Sequence, residues 1–385
     1  MWDYPTIRRH SSSLSSARAI DWSSQKNHNW WKKRSSDSLS VSGASFRHVL
    51  SIISGPSSLH TLVLTWLNVK PAQQQLILSI KSLRFLKLIN SSFVPTPMVL
   101  PRSSITTLWL EDPSVAPIKH LLTLLASSLE TLRSRGPWPG AINVLGSTQL
   151  PRLTFFEELY QEHFPRWEHF ASFSNIKVLI ISSFGIHFPP KDILPHLTYL
   201  CAPHNIASAL LPGRPVRTYH MHPNYFCCGL PHSRPPLAEV APDAQHVEEL
   251  QLSTRMPPGE LVEHLAMHFP NLVRVRLMMV EFPLPTNEES ALVPPSGSAY
   301  VHHSLREIDI GFHRVKGRPF PSESCWNALT TLKGICPGLE VVRFGELFPV
   351  AGGGIDERNV GLDWLMDVRR ATTDGEWKER KWGLS

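Results

Sequence analysis

The chain has 385 residues, of which 38 are basic and 32 acidic, giving a formal net charge of +6. The basic residues are spread along the chain and only 18% of all residues are charged. This argues against a dedicated nucleic-acid binder, which concentrates its basic residues. The five cysteines are an odd number and none precedes residue 201, so they predict no disulfide framework and favour a reducing compartment.

The apolar residues predict neither secretion nor membrane insertion. The N-terminal stretch MWDYPTIRRHSSS lacks the apolar core of a signal peptide. No run of about 18 apolar residues predicts a membrane-spanning helix. We therefore expect a cytoplasmic or nuclear protein that does not engage a membrane.

Residues 1–45 form a serine-rich segment that holds 13 serines and few aliphatic residues. Because so little apolar surface cannot offset the entropy lost on ordering, we predict that this segment is mostly disordered. Its basic patch, Trp30-Trp31-Lys32-Lys33-Arg34, has two interpretations. A solvated charge run in a flexible tail is favoured over a nuclear import signal.

A repeated phrase of apolar residues begins at residue 59. Its full form is Leu-x-x-Leu-x-Leu, as in Leu59-x-x-Leu62-x-Leu64. With spacings of 21 to 24 residues, related phrases begin at Leu83, Ile105, Leu129, Leu153, Ile176 and Leu197. With spacings of 25, 33 and 34 residues, a second run begins at Val247, Leu272, Leu305 and Leu339. Such periods are typical of leucine-rich repeats, whose units have roughly 20–29 residues.

Two segments interrupt this period. Residues 202–245 are rich in Pro and His, and residues 283–303 read as a surface loop, so both are predicted insertions. Within the first, Val216-x-x-Tyr219-x-Met221 is interpreted as a degenerate repeat that joins the two runs.

The phrase has a direct structural meaning. Its last two apolar positions are two residues apart and face the same side of a strand, while the first fills the corner before it. Between phrases, three segments open with proline and carry spaced aliphatic residues, which predicts helices at Pro71 to Ile80, Pro117 to Leu125 and Pro258 to Phe269.

One such unit cannot bury its apolar face alone, so neighbouring units must stack into a continuous core. We therefore predict an α/β leucine-rich-repeat solenoid over residues 46–350. A curved parallel sheet would form its concave face, and helices and loops its convex face. Residues 351–385 are predicted to cap it, with a helix from Asp356 through Val360, Leu365 and Val368.

Two strand phrases and two proline corners carry a family resemblance. The phrases are Leu83-Arg84-Phe85-Leu86-Lys87-Leu88 and Ser304-Leu305-Arg306-Glu307-Ile308-Asp309-Ile310, and the corners are Phe269-Pro270-Asn271-Leu272 and Cys336-Pro337-Gly338-Leu339. They resemble the degenerate leucine-rich repeats of fungal F-box-like proteins. The resemblance implies a substrate-recognition subunit of a cullin-type (SCF) ubiquitin ligase, in which the F-box binds the ligase adaptor and the solenoid binds the target.

The sequence departs from that family at the F-box. The box usually opens with Leu-Pro-x-Glu-Ile/Leu and closes near a Trp-Arg pair, and residues 1–58 contain no such opening. The box is lost, lies upstream of this start or has diverged. A stand-alone leucine-rich-repeat protein unrelated to ubiquitin is therefore the alternative interpretation.

No motif predicts catalysis or cofactor binding, so we expect that the protein is not an enzyme and holds no cofactor. Neither G-x-S-x-G nor a nucleotide-binding glycine motif is present. The best metal candidate combines zinc-ligand residue types, His220, His222, Cys227, Cys228 and His232, but their spacing is poor. A cryptic enzyme or metal protein using the 202–245 segment is the least favoured hypothesis.

The binding chemistry is expected on the concave face. There, the residue between the last two apolar positions of each phrase points outward: Val63, Lys87, Trp109, Arg133, Glu157, Ile180, Cys201, Gln251, Arg276, Asp309 and Arg343. Trp and Arg are enriched at interface hot spots. The predicted partner-binding residues are Lys87, Trp109, Arg133, Arg274, Arg276, Arg306, Asp309 and Arg343. The C-terminal arginines would favour an acidic segment, although any solenoid face must be polar.

Overall fold

The structure is a computed structural model and describes residues 20–21, 38–42, 59–95, 103–111, 115–136, 148–159, 167, 170, 173–182, 190, 192–221, 241–254, 258–279, 301–312, 329–330, 332–349, 360–370 and 377–380. It divides into two compact units, Met1–Val178 and Leu179–Ser385. Each unit is an α/β structure built on a run of parallel strands, and the main strands of the first and second units are called the first sheet and the second sheet.

In the first unit the strands follow one another across the main sheet in chain order. They are β1 (Ile20–Asp21), β2 (Ser38–Ser42), β3 (Thr61–Thr65), β5 (Phe85–Ile89), β7 (Thr107–Glu111), β8 (Thr131–Arg135) and β9 (Phe155–Leu159), all parallel. The short strands β4 (Asn68–Val69) and β6 (Ser92–Phe93) form a second parallel pair. Helices α1 (Pro71–Ser79) and α2 (Val115–Leu125) occupy two of the returns.

The second unit repeats this plan. Its elements are β10 (Val178–Ile181), β11 (Tyr199–Ala202), α3 (His204–Leu210), β12 (Thr218–Met221), a 3-10 helix (Ala241–His246), β13 (Glu249–Thr254), α4 (Pro258–His268), β14 (Arg274–Met279), β15 (Glu307–Phe312), β16 (Val341–Pro349), β17 (Val360–Arg370) and β18 (Trp377–Arg380). From β11 to β16 each strand pairs in parallel with the next. Strands β17 and β18 are antiparallel additions at the end of the sheet.

The predicted phrases form the core. The first residue of each phrase is buried, from Leu59 at 6% exposed to Leu339 at 1%. Along the strands buried and partly exposed residues alternate, as in Phe85–Ile89, where Leu86 and Leu88 are buried. Each sheet therefore has one face in the core and one exposed face. The parallel strands, the stacking in chain order and the three predicted helices are confirmed, while the leucine-rich-repeat identity stays a prediction.

The strand register is fixed by the same hydrogen bonds at successive corners. The N–H groups of Arg84 and Phe85 both donate to the carbonyl of His60, at 2.9 Å each. In the second unit the N–H groups of Val273 and Arg274 both donate to the carbonyl of Glu248, at 2.7 and 3.0 Å. Because each strand starts at the same height as the one before, equivalent side chains line up in columns across the sheet.

The residue that closes a strand adopts the left-handed conformation at three equivalent positions of the first unit. These are Trp66 (φ 56°), Asn90 (φ 46°) and Gly136 (φ 150°), and each donates its N–H to the last residue of the next strand. Asn and Gly tolerate positive φ, whereas a bulky side chain there is an outlier. Trp66 is also 68% exposed, so neither its backbone nor its burial favours tryptophan.

The helix predicted from Asp356 is wrong. Val360–Arg370 is the strand β17, which pairs antiparallel with β16. The residues Val360, Leu362, Trp364, Met366 and Val368 alternate with others at a period of two, which is the pattern of a strand. The prediction weighted a spacing of three to five residues instead. Pairing with β17 satisfies the backbone groups of β16 along the side that faces away from β15.

The segment predicted as the first insertion contains regular structure. Within residues 202–245 lie α3, β12 and most of the 3-10 helix, and Val216, Tyr219 and Met221 are buried. The phrase thus forms a buried strand as expected, while its interpretation as a degenerate repeat stays a prediction, and part of the predicted insertion has regular structure. Residues 222–240 and most of the predicted loop 283–303 lie outside the described residues.

The N-terminal segment predicted to be disordered holds two described strands, β1 and β2. Strand β2 lies beside β3, with Leu39 opposite Leu62. These seven residues are exceptions to the prediction, because parallel pairing supplies the hydrogen bonds that the composition does not reveal. The remainder of residues 1–45, including the basic patch, lies outside the described residues.

Candidate functional site

The exposed face of the first sheet carries the predicted central column. Register pairs Val63 with Lys87, Lys87 with Trp109, Trp109 with Arg133 and Arg133 with Glu157. All five side chains are partly exposed, as predicted. Adjacent strands lie about 4.8 Å apart, so neighbouring members of the column are in contact range.

Trp109 lies between two cations. The Lys87 ammonium nitrogen is 3.7 Å from the centroid of the indole ring, and the Arg133 guanidinium carbon is 5.7 Å from it. Arg133 also lies 4.9 Å from the ring centroid of Phe155. The ring of Phe85 lies edge-on to the ring of Trp109, with the two ring centroids 6.5 Å apart. We name these five residues the cation–aromatic ladder. Their contacts are of the cation–π and T-shaped types that hold side chains in defined orientations.

Two carboxylates hold the cations of the ladder in place. Lys87 Nζ is 2.7 Å from Glu111 Oε2, and Arg133 Nε is 3.7 Å from Glu157 Oε2. Both pairs are partly exposed, so they contribute little to stability. The close pair with Glu111 limits the rotamers of Lys87, which reduces the entropy that a partner would have to remove on binding.

The exposed face of the second sheet carries a charged cluster. Register pairs Arg274 with Glu307, Arg276 with Asp309 and Asp309 with Arg343. We name these five residues the arginine cluster. The Asp309 carboxylate is its centre: Oδ2 accepts from Arg274 Nη2 at 2.7 Å, and Oδ1 accepts from Arg343 Nη1 at 2.8 Å. Arg343 Nη1 also donates to Glu307 Oε2 at 3.0 Å.

The prediction that Asp309 itself offers a contact surface is wrong. Asp309 is fully buried, because the guanidinium groups of its neighbours cover it. Burial alone lowers the pKa of Arg274 and Arg343, but hydrogen bonds and attraction to Asp309 and Glu307 outweigh burial and raise both pKa values. The cluster is thus a permanently charged network in which Asp309 is the internal counter-ion.

Arg306, also predicted for binding, lies outside the cluster. It precedes β15, donates from Nη1 to the carbonyl of Gly338 at 2.9 Å and lies 3.6 Å from Glu340 Oε1. Three further members of the predicted outward column are buried: Ile180 at 7%, Cys201 at 2% and Gln251 at 8% exposed. The predicted column is therefore partly exposed from Val63 to Glu157 but includes several buried positions in the second unit.

The metal candidate is not supported where it can be examined. His220 lies on β12 and its Nδ1 is 2.8 Å from the hydroxyl of Tyr199, a hydrogen-bonding distance. The other proposed ligands, His222, Cys227, Cys228 and His232, lie outside the described residues. Within the described ranges, no group of three or more His, Cys, Asp or Glu is placed to hold a metal ion.

Cys336 is a buried thiol, and burial raises its pKa to about 12. It is therefore protonated and unreactive at neutral pH.

Sequence reasoning missed several residues of these surfaces. Phe85 and Phe155 lie two residues before Lys87 and Glu157, in the neighbouring column of the same face, and Glu111 and Glu307 supply counter-charge. The signal was present in the phrase itself, because positions two before and two after the central residue share its face. Which of them touch was not readable, since contact depends on the register between strands.

Comparison with known proteins leaves the family open. No protein-family model matches the chain, and no curated protein matches it. Among the described helices, none has the length and apolar character needed to cross a bilayer.

Proposed function

We propose that the chain is a leucine-rich-repeat protein whose exposed sheet faces bind other proteins. The observation that carries this proposal is the cation–aromatic ladder on the first sheet. Trp109 is in contact with Lys87, Arg133 and Phe85, and tryptophan and arginine are residue types enriched at interface hot spots. A solenoid face needs only polar residues to remain solvated, so this concentration of aromatic side chains exceeds that need.

The ladder is also organised before any partner arrives. Lys87 is held against Trp109 by its ring contact and by the 2.7 Å ion pair with Glu111, and Arg133 lies beside the ring with Glu157 at 3.7 Å. A partner that covers Trp109 would gain apolar burial without ordering these long side chains, which supports specific binding.

Affinity purification with the tagged full-length chain tests the proposal. Trp109→Ala is expected to weaken the affinity of a captured and purified partner by about tenfold or more. Arg133→Gln should weaken the affinity less, because this substitution removes only one of the two cations beside the Trp109 ring. Arg152→Gln is the matched control, since Arg152 is 59% exposed and pairs with Glu130 at 2.5 Å outside the ladder. Partners that bind the Trp109 variant as tightly as the original chain would overturn the proposal.

A narrower form of the proposal follows from the resemblance to fungal F-box-like proteins. In that form the chain is the substrate receptor of a cullin-type ubiquitin ligase and binds its adaptor as well as a target. Co-purification of the adaptor with the full-length chain supports it. Target binding without any adaptor instead favours a stand-alone repeat protein.

A further inference from the structure

The arginine cluster has an unequal distribution of contacts. Arg274 and Arg343 each contact both Asp309 and Glu307, and each donates a hydrogen bond to Asp309. Arg276 instead approaches Asp309 Oδ2 at 3.6 Å, beyond hydrogen-bonding distance. That oxygen already accepts from Arg274 at 2.7 Å. Arg276 is therefore the member with the weakest hold on the shared carboxylate.

The donors of Arg276 are incompletely used. Its Nε is buried and has no hydrogen-bond partner within the described part of the chain. The side chain is nonetheless 36% exposed, similar to Arg274 at 35% and more than Arg343 at 17%. A guanidinium with an unsatisfied buried donor and an exposed flank gains more from an added acceptor than one whose donors are paired.

The charge count of the cluster points the same way. Three guanidinium groups share two carboxylates, Glu307 and Asp309, so one positive charge lacks a counter-charge within the cluster. Glu249, in register with Arg274, has its carboxylate 3.5 Å from the hydroxyl of Thr218 on the opposite side. Among the described contacts, Arg274 and Arg343 each approach both carboxylates, whereas Arg276 approaches only Asp309, so Arg276 has the smallest share of the counter-charge.

A second donor lies beside Arg276. Gln251 pairs with it in register on the neighbouring strand. The Gln251 Nε2 donates to the Met278 sulfur at 3.8 Å. A thioether is a weak acceptor, so the amide has capacity for a better one.

We infer that Arg276, assisted by Gln251, binds an anionic group of a partner peptide, either a carboxylate or a phosphate, on the exposed face of the second sheet. This inference rests on the proposed function, because it assumes that the sheet faces bind proteins. A single unmatched charge suits one carboxylate or phosphate. A nucleic acid is disfavoured, since it needs several basic groups and would be repelled by Glu307.

Fluorescence anisotropy with the full-length chain tests the inference at low salt. The probes are a labelled peptide of alternating glutamate and glycine and the same peptide with phosphoserine in place of glutamate. Arg276→Gln is expected to weaken binding of at least one of these peptides by about tenfold. Arg276→Lys, which keeps the charge without the guanidinium fork, should give an intermediate loss. The peptide that binds more tightly identifies the anion.

Arg217→Gln is the matched control, because Arg217 also lies near a carboxylate, 3.9 Å from Glu248 Oε1, but stands outside the cluster. Its affinity should change by less than about twofold. Equal losses in the two glutamine variants, or no binding of either peptide, would overturn the inference. So would tighter Arg276-dependent binding of a single-stranded oligonucleotide. Each of these failures leaves the Trp109-dependent partner binding intact, so the two proposals fail separately. Unchanged thermal midpoints establish that the variants are folded.

Discussion

The strongest test of the fold concerns Arg214, a buried arginine that is 3% exposed. It follows helix α3 and donates hydrogen bonds of 2.8 to 3.2 Å to five backbone carbonyls. The acceptors are the carbonyl oxygens of Pro190, Ile193, Ala209, Leu210 and Pro212. The guanidinium thus satisfies the C-terminal carbonyls of α3 and links them to the preceding repeat.

Arg214→Met tests this role because methionine keeps the aliphatic volume and removes the donors. Burial lowers the pKa of Arg214, with Asp192 opposing that effect, and the group still stays charged at neutral pH. Hydrogen bonds from a charged donor contribute about 1.5–3 kcal/mol each. Desolvation of the guanidinium offsets several kcal/mol of their sum. We therefore expect Arg214→Met to lower the free energy of unfolding by about 3–5 kcal/mol.

Chemical denaturation followed by circular dichroism measures this loss as a shift of the transition midpoint. The control is Arg217→Met, because Arg217 is 69% exposed and lies 3.9 Å from Glu248. That variant should change the free energy of unfolding by less than about 0.5 kcal/mol. If Arg214→Met lowers the free energy of unfolding by less than about 1 kcal/mol, water replaces the guanidinium at these carbonyls, and Arg214 does not stabilise the fold as argued.

Three further predictions concern single positions. Trp66→Asn should raise the free energy of unfolding by about 1 kcal/mol, since asparagine tolerates the positive φ that Asn90 already adopts; a lower midpoint would show that the exposed ring stabilises the fold. Asp309→Asn should lower the free energy of unfolding by about 3 kcal/mol in chemical denaturation, because it removes a buried counter-ion. Glu340→Gln, at an exposed carboxylate, should leave the free energy of unfolding nearly unchanged. Burial lowers the pKa of His302 below its ordinary value. The contribution of neutral His302 to the free energy of unfolding is therefore fully present above pH 6.5, and it is lost as the pH falls through the lowered pKa of the folded state. The thermal midpoint should drop between about pH 7.5 and 5.5, and His302→Gln should reduce that drop; an unchanged drop contradicts the assignment.

The sequence predicted the strands because their pattern is local. Leu62 and Leu64 are two residues apart, and that spacing alone places both on one face. The spacing between phrases then predicted stacking in chain order, and the proline-led returns predicted α1, α2 and α4. The tail failed because Val360–Arg370 fits two periods, and only its pairing with β16 decided between them.

The candidate surfaces were predicted less completely. Lys87, Trp109 and Arg133 were assigned to one column, and the structure brings them into contact. The same rule placed Asp309 and Gln251 outward, yet both are buried. A column position states which way a side chain leaves the strand. It does not state which neighbours fold over it, because those come from residues about one repeat away.

By itself, then, the sequence determined the repeating strand, the buried positions at each corner and the face on which the charged and aromatic residues lie. These follow from periods of two residues and of one repeat, which are properties of the chain alone. Only the tertiary structure decided that Trp109 lies between two cations and that Asp309 is enclosed by arginines. Both depend on the register between strands whose paired residues are 22 to 34 residues apart in sequence, which the corner hydrogen bonds set. Long side chains then choose their partners across that register by charge and available volume.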